Sequence, residues 1–280
     1  MLILSHTTTM KTAISEEMFG IKFKYFINDC MASSSIGIQM QWERHITNFT
    51  KLYNRLYPIK NIIDIGANFG YHTLLFSREC SEMVYAFEPQ MQNFELLEEN
   101  VKINQIENVI LHNCACGDNN CEIKMPIFDD DRVINMGDIT PNVNCMNNHS
   151  ITKSIALDEM QFPSKIDLIK IDVQGWEKKV LIGANYLLKT HTPILIVEFE
   201  QFQLEKTQTT CKELFDCIRA QNYHVFYLEY EYPSDHVCVH NDNLEDFRVK
   251  FEKHILPHTE TNGINDNLIN GVHEKIVIVI

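Results

Sequence analysis

The feature that most constrains this chain is a rhythm of alternating segments, with a glycine turn at its first strand-to-helix junction. NIIDIG (61–66) has strand length and composition and is stopped by glycine, and YHTLLFSREC (71–80) is helical. MVYAFEP (83–89) is a strand ending at Pro89; QMQNFELLEENVKINQ (90–105) is helical, with Phe94, Leu97 and Val101 on one face; NVILHNCA (108–115) is a strand. Strand, helix, strand, helix, strand is the signature of βαβ units on a parallel sheet. The rhythm breaks over 117–157, an Asn- and Asp-rich stretch expected to form a hairpin or loops. It returns with KIDLIKIDVQG (165–175) as a buried-type strand, a helix over 176–189, the strand PILIVEFE (193–200), a helix over 207–221 and the strand YHVFYLEY (223–230). Residues 230–271 are irregular, and HEKIVIVI (273–280) supplies a last strand. Before the rhythm begins, residues 38–57 carry Ile38, Trp42, His45, Ile46, Phe49, Leu52, Tyr53 and Leu56 at helical spacing. The 280 residues suffice for one α/β domain with an appendage.

Charge narrows the partners. With 24 Lys+Arg against 38 Asp+Glu, the formal charge is −14, which argues against a surface built to neutralise nucleic-acid phosphates. MLIL at the start is too short for a signal peptide, and no window approaches 18 uninterrupted apolar residues, so neither secretion nor a membrane span is expected. Nine cysteines, an odd number without a regular framework, read as free thiols of a cytoplasmic protein. His112, Cys114, Cys116 and Cys121 match no common zinc spacing, and no metal site is expected.

The sharpest local signal is Asp64-Ile65-Gly66-Ala67-Asn68-Phe69-Gly70. Glycines there permit a tight turn and let a ligand reach main-chain N–H groups at a helix N-terminus. The stretch lacks the Gly-Lys of a nucleoside-triphosphate loop and the three-glycine spacing of a dinucleotide fingerprint. An acid at the strand end repels phosphate and suits a ligand with cationic groups. S-adenosylmethionine, with an ammonium, a sulfonium and one carboxylate, answers that description. Glu88 ends the second strand, 24 residues after Asp64, where a carboxylate can accept from both ribose hydroxyls. Asp118, after the third strand, either flanks an adenine or makes a turn with the asparagines that follow it.

These residues resemble the FkbM-type S-adenosylmethionine-dependent methyltransferases. The likeness runs through IIDIGANFGYHTLLFS (62–77), VYAFEPQMQNFELLEENVKIN (84–104), ACGD (115–118), TKSIALD (152–158), DLIKIDVQGWEKKVLIGA (167–184) and PILIVEFE (193–200). The resemblance implies a seven-stranded class I methyltransferase fold, Rossmann-like, with a mostly parallel sheet, helices on both faces and a last strand inserted antiparallel. YHVFYLEY and HEKIVIVI are assigned to its final two strands, and the chain divides into an N-terminal helical extension (1–57) and a methyltransferase domain (58–280). It also implies methyl transfer to a hydroxyl of a sugar, glycan or small natural product. Asp64, Gly66, Asn68 and Gly70 would line the methionine end, Glu88 the ribose and Asp118 the adenine.

Ligands of open α/β sheets sit beyond the carboxyl ends of the strands, which directs attention to Asp172 at the end of the fourth. Asp172 is the first choice to orient or deprotonate the acceptor; Glu177 is either its catalytic partner or a carboxylate placed to suit a helix N-terminus. Together they could hold a divalent cation, but two acids do not establish one. Glu198 and Glu200 share a strand face, so one can meet the acceptor and the other solvent. His72 and His149 are possible bases, and Trp42 either lids the pocket or packs in a core stripe. Methylation of RNA or protein is an alternative, as is a non-catalytic nucleoside-binding module. The acceptor and the oligomeric state are not legible.

Overall fold

In the computed structural model the described residues are 10–128, 135–143, 148–228, 235–257 and 276–278. Helix α1 (Arg44–Leu56) precedes the main sheet. Then come β1 (Asn61–Ile65), α2 (Tyr71–Glu79), β2 (Met83–Phe87), α3 (Met91–Ile103) and β3 (Val109–His112). After an accessory sheet follow β4 (Leu168–Ile171), α4 (Glu177–Gly183), α5 (Asn185–His191), β5 (Ile194–Glu198), α6 (Gln201–Lys206), α7 (Cys211–Ala220) and β6 (Tyr223–Leu228). The chain continues as β7 (Asp235–His240), α8 (Leu244–Lys250), β8 (Ile255–Pro257) and β9 (Ile276–Ile278).

Across the sheet the order is β8-β9-β6-β7-β5-β4-β1-β2-β3. Strands β3, β2, β1, β4 and β5 run parallel, and β7 lies antiparallel between β5 and β6. Seven of these strands form the class I methyltransferase sheet, as the resemblance implies. One assignment within it needs correction. The inserted antiparallel strand is DHVCVH (235–240), while β9 from HEKIVIVI pairs parallel to β6 further out. Asp235, His236 and His240 hide that strand from any apolar pattern, yet all six of its residues are buried. Ala184 also splits the expected 176–189 helix into α4 and α5.

Strand alternation sorts the apolar side chains into two cores. Ile63, Ile65, Ile169, Ile171, Leu195 and Val197 pack under Val180 and Leu181 of α4, Leu187 and Leu188 of α5, and Leu214 and Ile218 of α7. Ile62, Val84, Leu168, Ile194 and Ile196 pack on the other face against Ile46 and Phe49 of α1, Phe76 of α2 and Phe247 of α8. Helices thus cover both faces of a sheet whose central strands are apolar on both sides. The first residues, unpatterned in sequence, form a hairpin (Thr12–Ile14 with Lys24–Phe26), and Ile21, Phe23 and Ile36 pack on Phe69, Leu74 and Leu97. The irregular 117–157 stretch gives the expected hairpin: Cys121–Pro126 pairs antiparallel with His149–Ile155, which also pairs parallel with Ala115–Cys116.

Candidate active site

Successive strands in this sheet leave β1 in opposite directions, β2 on one side and β4 on the other. The crevice opened at such a reversal is where open α/β sheets bind ligands. A cavity of about 630 Å³ lies there, lined by Gly66, Asn68, Glu88, Asp172, Glu198 and Glu200 among others.

The glycine turn is built to bring backbone against backbone. Gly66 sits at φ +81°, and a Cβ there would fall 1.7 Å from the carbonyl oxygen of Asp172. Only glycine fits both the dihedral and that approach. Asn68 follows at φ +53°, a left-handed conformation asparagine tolerates, and its Oδ1 accepts from the Phe69 N–H at 2.8 Å. Gly70, at φ +95°, starts α2 and packs against Leu97; it does not line the cavity.

Glu88 organises this rim. Its two carboxylate oxygens accept from the N–H groups of Asn68 and Gln90, each at 2.8 Å. A carboxylate has about four lone-pair sites, so two remain for ligand hydroxyls. Burial pushes its pKa up to about 7 against those hydrogen bonds, and the charges of Asp64 and Asp172 add to the rise.

Asp64 does not line the cavity. It is fully buried beneath the turn, where one oxygen accepts from Thr73 Oγ1 at 2.6 Å and Oδ1 has no hydrogen-bond partner. Alternation explains this placement: Ile65, its neighbour, is the strand-end residue that lines the cavity. Asp118 is exposed and outside the cavity, because the chain turns away at Gly117 to join the accessory sheet.

Facing the glycine rim are the tips of β4 and β5. Asp172 accepts from Lys170 Nζ at 3.0 Å and from Gln174 Nε2 at 2.8 Å. Burial alone would raise its pKa, but the Lys170 ammonium and these hydrogen bonds hold it below the ordinary carboxylate range. Burial likewise works against the charge of Lys170, and Asp172 and Asp64 overcome it, so Lys170 stays cationic. Gln174 Nε2 also donates to Glu198 at 2.9 Å, bridging the two acids. Burial and the Asp172 charge push Glu198 well above its usual pKa. Asp172 is thus held toward its ionised form and Glu198 toward its protonated form, both on the Gln174 amide.

Glu177 lies outside the cavity. Its Oε1 accepts from the N–H groups of Val173 and Gly175 at 3.1 and 3.0 Å, so it shapes the loop that carries Asp172 and Gln174. Burial raises its pKa to about 7 despite these bonds. His72 lines the cavity and pairs with Glu43 at 2.7 Å. His149 lies on the accessory sheet, outside the cavity. Trp42 does both things expected of it, lining the cavity and packing on the extension's core.

Lys170, Gln174, Gln203, Glu43, His45 and Asp235 also line the cavity and were not singled out as site residues from sequence. Gln174 carried one signal: it stands between the acid at the strand end and the glycine that closes the turn. Among the described residues no group of three or more His, Cys, Asp or Glu side chains is arranged to hold a metal ion. None of the described helices is long and apolar enough to cross a membrane.

The family model for the methyltransferase FkbM domain matches residues 64–225. A curated relative, Methyltransferase 1 of Beauveria bassiana (strain ARSEF 2860), is 26% identical over 144 residues, which cover 44% of this chain and 58% of the relative. Among solved structures, a methyltransferase FkbM from Methylobacillus flagellatus KT is 16% identical with a TM-score of 0.46, covering 64% of this chain and 43% of that one. A Streptococcus mutans methyltransferase solved with SAH is 12% identical with a TM-score of 0.43, covering 71% of this chain and 99% of that one. The chain thus spans well under two thirds of the curated relative and of the FkbM structure.

Proposed function

Because this chain belongs to the FkbM methyltransferase family, we propose that it transfers the methyl group of S-adenosylmethionine to a hydroxyl of a sugar, glycan or small natural product. One observation carries the reading: a glycine rim backed by Glu88 and an acid pair, Asp172 with Glu198, face one another across a single cavity.

The residues fit the cofactor. Gly66 lets the chain turn back against the Asp172 carbonyl, which sets Asn68 and Glu88 on the cavity rim, while the N–H groups of 66–70 are taken up by Phe87, Glu88, Asn68 and Ala67 and do not stand free for the methionine carboxylate. Asn68 shares that turn, and Glu88 retains two lone-pair sites for the ribose hydroxyls. Asp64 and Gly70 then act from behind, Asp64 by fixing Thr73 of α2 and Gly70 by starting that helix. When bound, S-adenosylmethionine supplies an activated methyl group, which leaves the protein two tasks: aligning the acceptor oxygen and taking its proton.

Asp172 performs both tasks. Lys170 keeps it ionised and Gln174 fixes its orientation, so it would align an acceptor hydroxyl and take its proton. Glu198, held toward its protonated form and tied to Asp172 through Gln174, supports that orientation. Glu177 serves by holding the loop in place.

The remaining wall selects the acceptor class. Asp172 and Glu200 give it an acidic character that disfavours phosphorylated or carboxylated acceptors. Their oxygens, with the buried Gln203 Oε1 that has no hydrogen-bond partner, call for a molecule rich in donors. A polyol supplies them, and Trp42, Trp176 and Phe202 add apolar surface to the lining. The same wall, with the overall charge of −14, weighs against RNA.

The test is to incubate the protein with methyl-labelled S-adenosylmethionine and fractionated host glycans and metabolites, then identify labelled products by mass spectrometry. Label on hydroxyl oxygens of neutral acceptors is expected. Cofactor binding with no label in any fraction would instead indicate a non-catalytic module.

A further inference from the structure

Methyl transfer as described rests on the sheet side of the cavity and gives another wall only the apolar surface of Trp42. That wall comes from residues 29–45, outside the stretch matched by the family model. Met31, Ala32, Trp42, Glu43 and His45 line the same cavity as Gly66, Glu88 and Asp172.

The wall is joined to the sheet domain by two reciprocal pairs. Glu43 Oε2 lies 2.7 Å from His72 Nε2 on α2, and His45 Nε2 lies 2.6 Å from Asp235 Oδ2 at the start of β7. All four residues line the cavity. The His45–Asp235 side chains are 3% and 8% exposed, and the His72–Glu43 side chains 6% and 20%. Asp29 adds a third tie: its Oδ1 accepts from the N–H of Met136, another cavity residue, at 3.3 Å. Glu43 reaches its position at φ +41°, a conformation a glutamate adopts only at a cost. Anchoring alone does not require these pairs, since Ile46 and Phe49 of α1 are already fully buried in the core. What these hydrogen-bonded pairs add is a fixed placement at the cavity rim, because a displaced partner would leave its mate buried and unpaired.

We propose that residues 29–45 are a working wall of the active site, closed over the bound nucleoside by the Glu43–His72 and His45–Asp235 pairs, with Glu43 and His45 as positioning residues. This rests on the methyl-transfer reading, since the enclosed ligand is S-adenosylmethionine or its product. Ligand release then requires the wall to open, as it does where a closing segment sets residence time.

The test uses the full chain and S-adenosylhomocysteine (SAH), with dissociation followed by stopped-flow chase and backbone hydrogen exchange read over residues 38–46. Glu43→Ala/His45→Ala should raise exchange there and speed SAH release by about tenfold or more. Glu43→Gln/His45→Gln should stay within about threefold of wild type, because the glutamine amide nitrogen reaches about as far as His Nε2 and still donates. A folded alanine variant with raised exchange and unchanged release overturns the proposal, as does a glutamine variant that releases as fast as the alanine one. Should the double alanine variant not fold, Glu43→Ala alone breaks the more exposed pair, and release about threefold faster is expected; an unchanged rate there overturns the proposal equally. Failure of the wild-type chain to bind SAH refutes the methyl-transfer reading and this one with it. SAH release indifferent to the alanine changes refutes only the role of the wall.

Discussion

Glu88 offers the sharpest perturbation, because its surroundings fix both a sign and a size. Burial lifts its pKa to about 7, while ribose hydroxyls favour the ionised form as acceptor. An empty site at pH 6 therefore has Glu88 mostly protonated, and at pH 8 mostly ionised. If only the carboxylate binds the ribose, apparent SAH affinity rises about tenfold between those pH values, in proportion to the competent fraction. Glu88→Gln should abolish that dependence. It should also weaken binding at pH 8 by about 10- to 150-fold, the equivalent of about 1.5–3 kcal/mol for a lost charge-assisted hydrogen bond. Part of that loss comes from the turn, since a glutamine amide nitrogen donates and cannot replace either oxygen that accepts from the Asn68 and Gln90 N–H groups. Isothermal titration calorimetry with SAH at pH 6, 7 and 8 measures both effects. Affinity independent of pH in the wild type, or a dependence that survives in Glu88→Gln, refutes the assignment.

Four further outcomes follow from the geometry. Gly66→Ala should cost about 2–4 kcal/mol in urea unfolding, because it combines a left-handed φ with a Cβ clash against the Asp172 carbonyl; a loss below about 0.5 kcal/mol would show that the turn relaxes freely. Asp172→Asn should cut turnover on the labelled acceptor at least about 100-fold and destabilise the chain by about 3 kcal/mol by stranding Lys170, while Lys170→Met in the same background recovers stability but not turnover. Glu177 keeps its proton to about pH 7 in the folded chain, well above the ordinary glutamate value, so the folded state binds more protons in that window and stability falls as pH rises through it. Urea midpoints from pH 5 to 8 should accordingly fall less for Glu177→Gln than for wild type, by up to about 3 kcal/mol, and parallel curves would contradict this. Asp118→Ala should leave SAH affinity unchanged within about twofold, since Asp118 is exposed and outside the cavity; a larger loss would return it to the adenine side.

The parts of the site legible in sequence are those set by local chemistry. Gly66 declares a turn wherever it occurs, and Glu88 follows it at the distance that one helix and one strand dictate. Strand tips put Asp172 and Glu198 at the same end of the sheet, which spacing alone conveys. Facing was less accessible: Asp64 and Ile65 differ by one residue, and which of them meets the cavity depends on how β1 sits between β2 and β4. Glu177 looked catalytic because it follows Asp172 closely, yet the loop folds back so that Glu177 binds the loop's own N–H groups. The inserted strand is not legible because its polar residues are buried, Asp235 through His45, 190 residues earlier. No periodicity encodes such a pairing, so Trp42 could be read as a possible lid while the Glu43 and His45 pairs that place it could not.

A crystal structure of the full chain grown with SAH tests the assignment of the cavity most directly. The ribose hydroxyls should lie within hydrogen-bond distance of the Glu88 carboxylate, with the sulfur facing Asp172. SAH bound elsewhere, or bound in the cavity with its ribose away from Glu88, would contradict it.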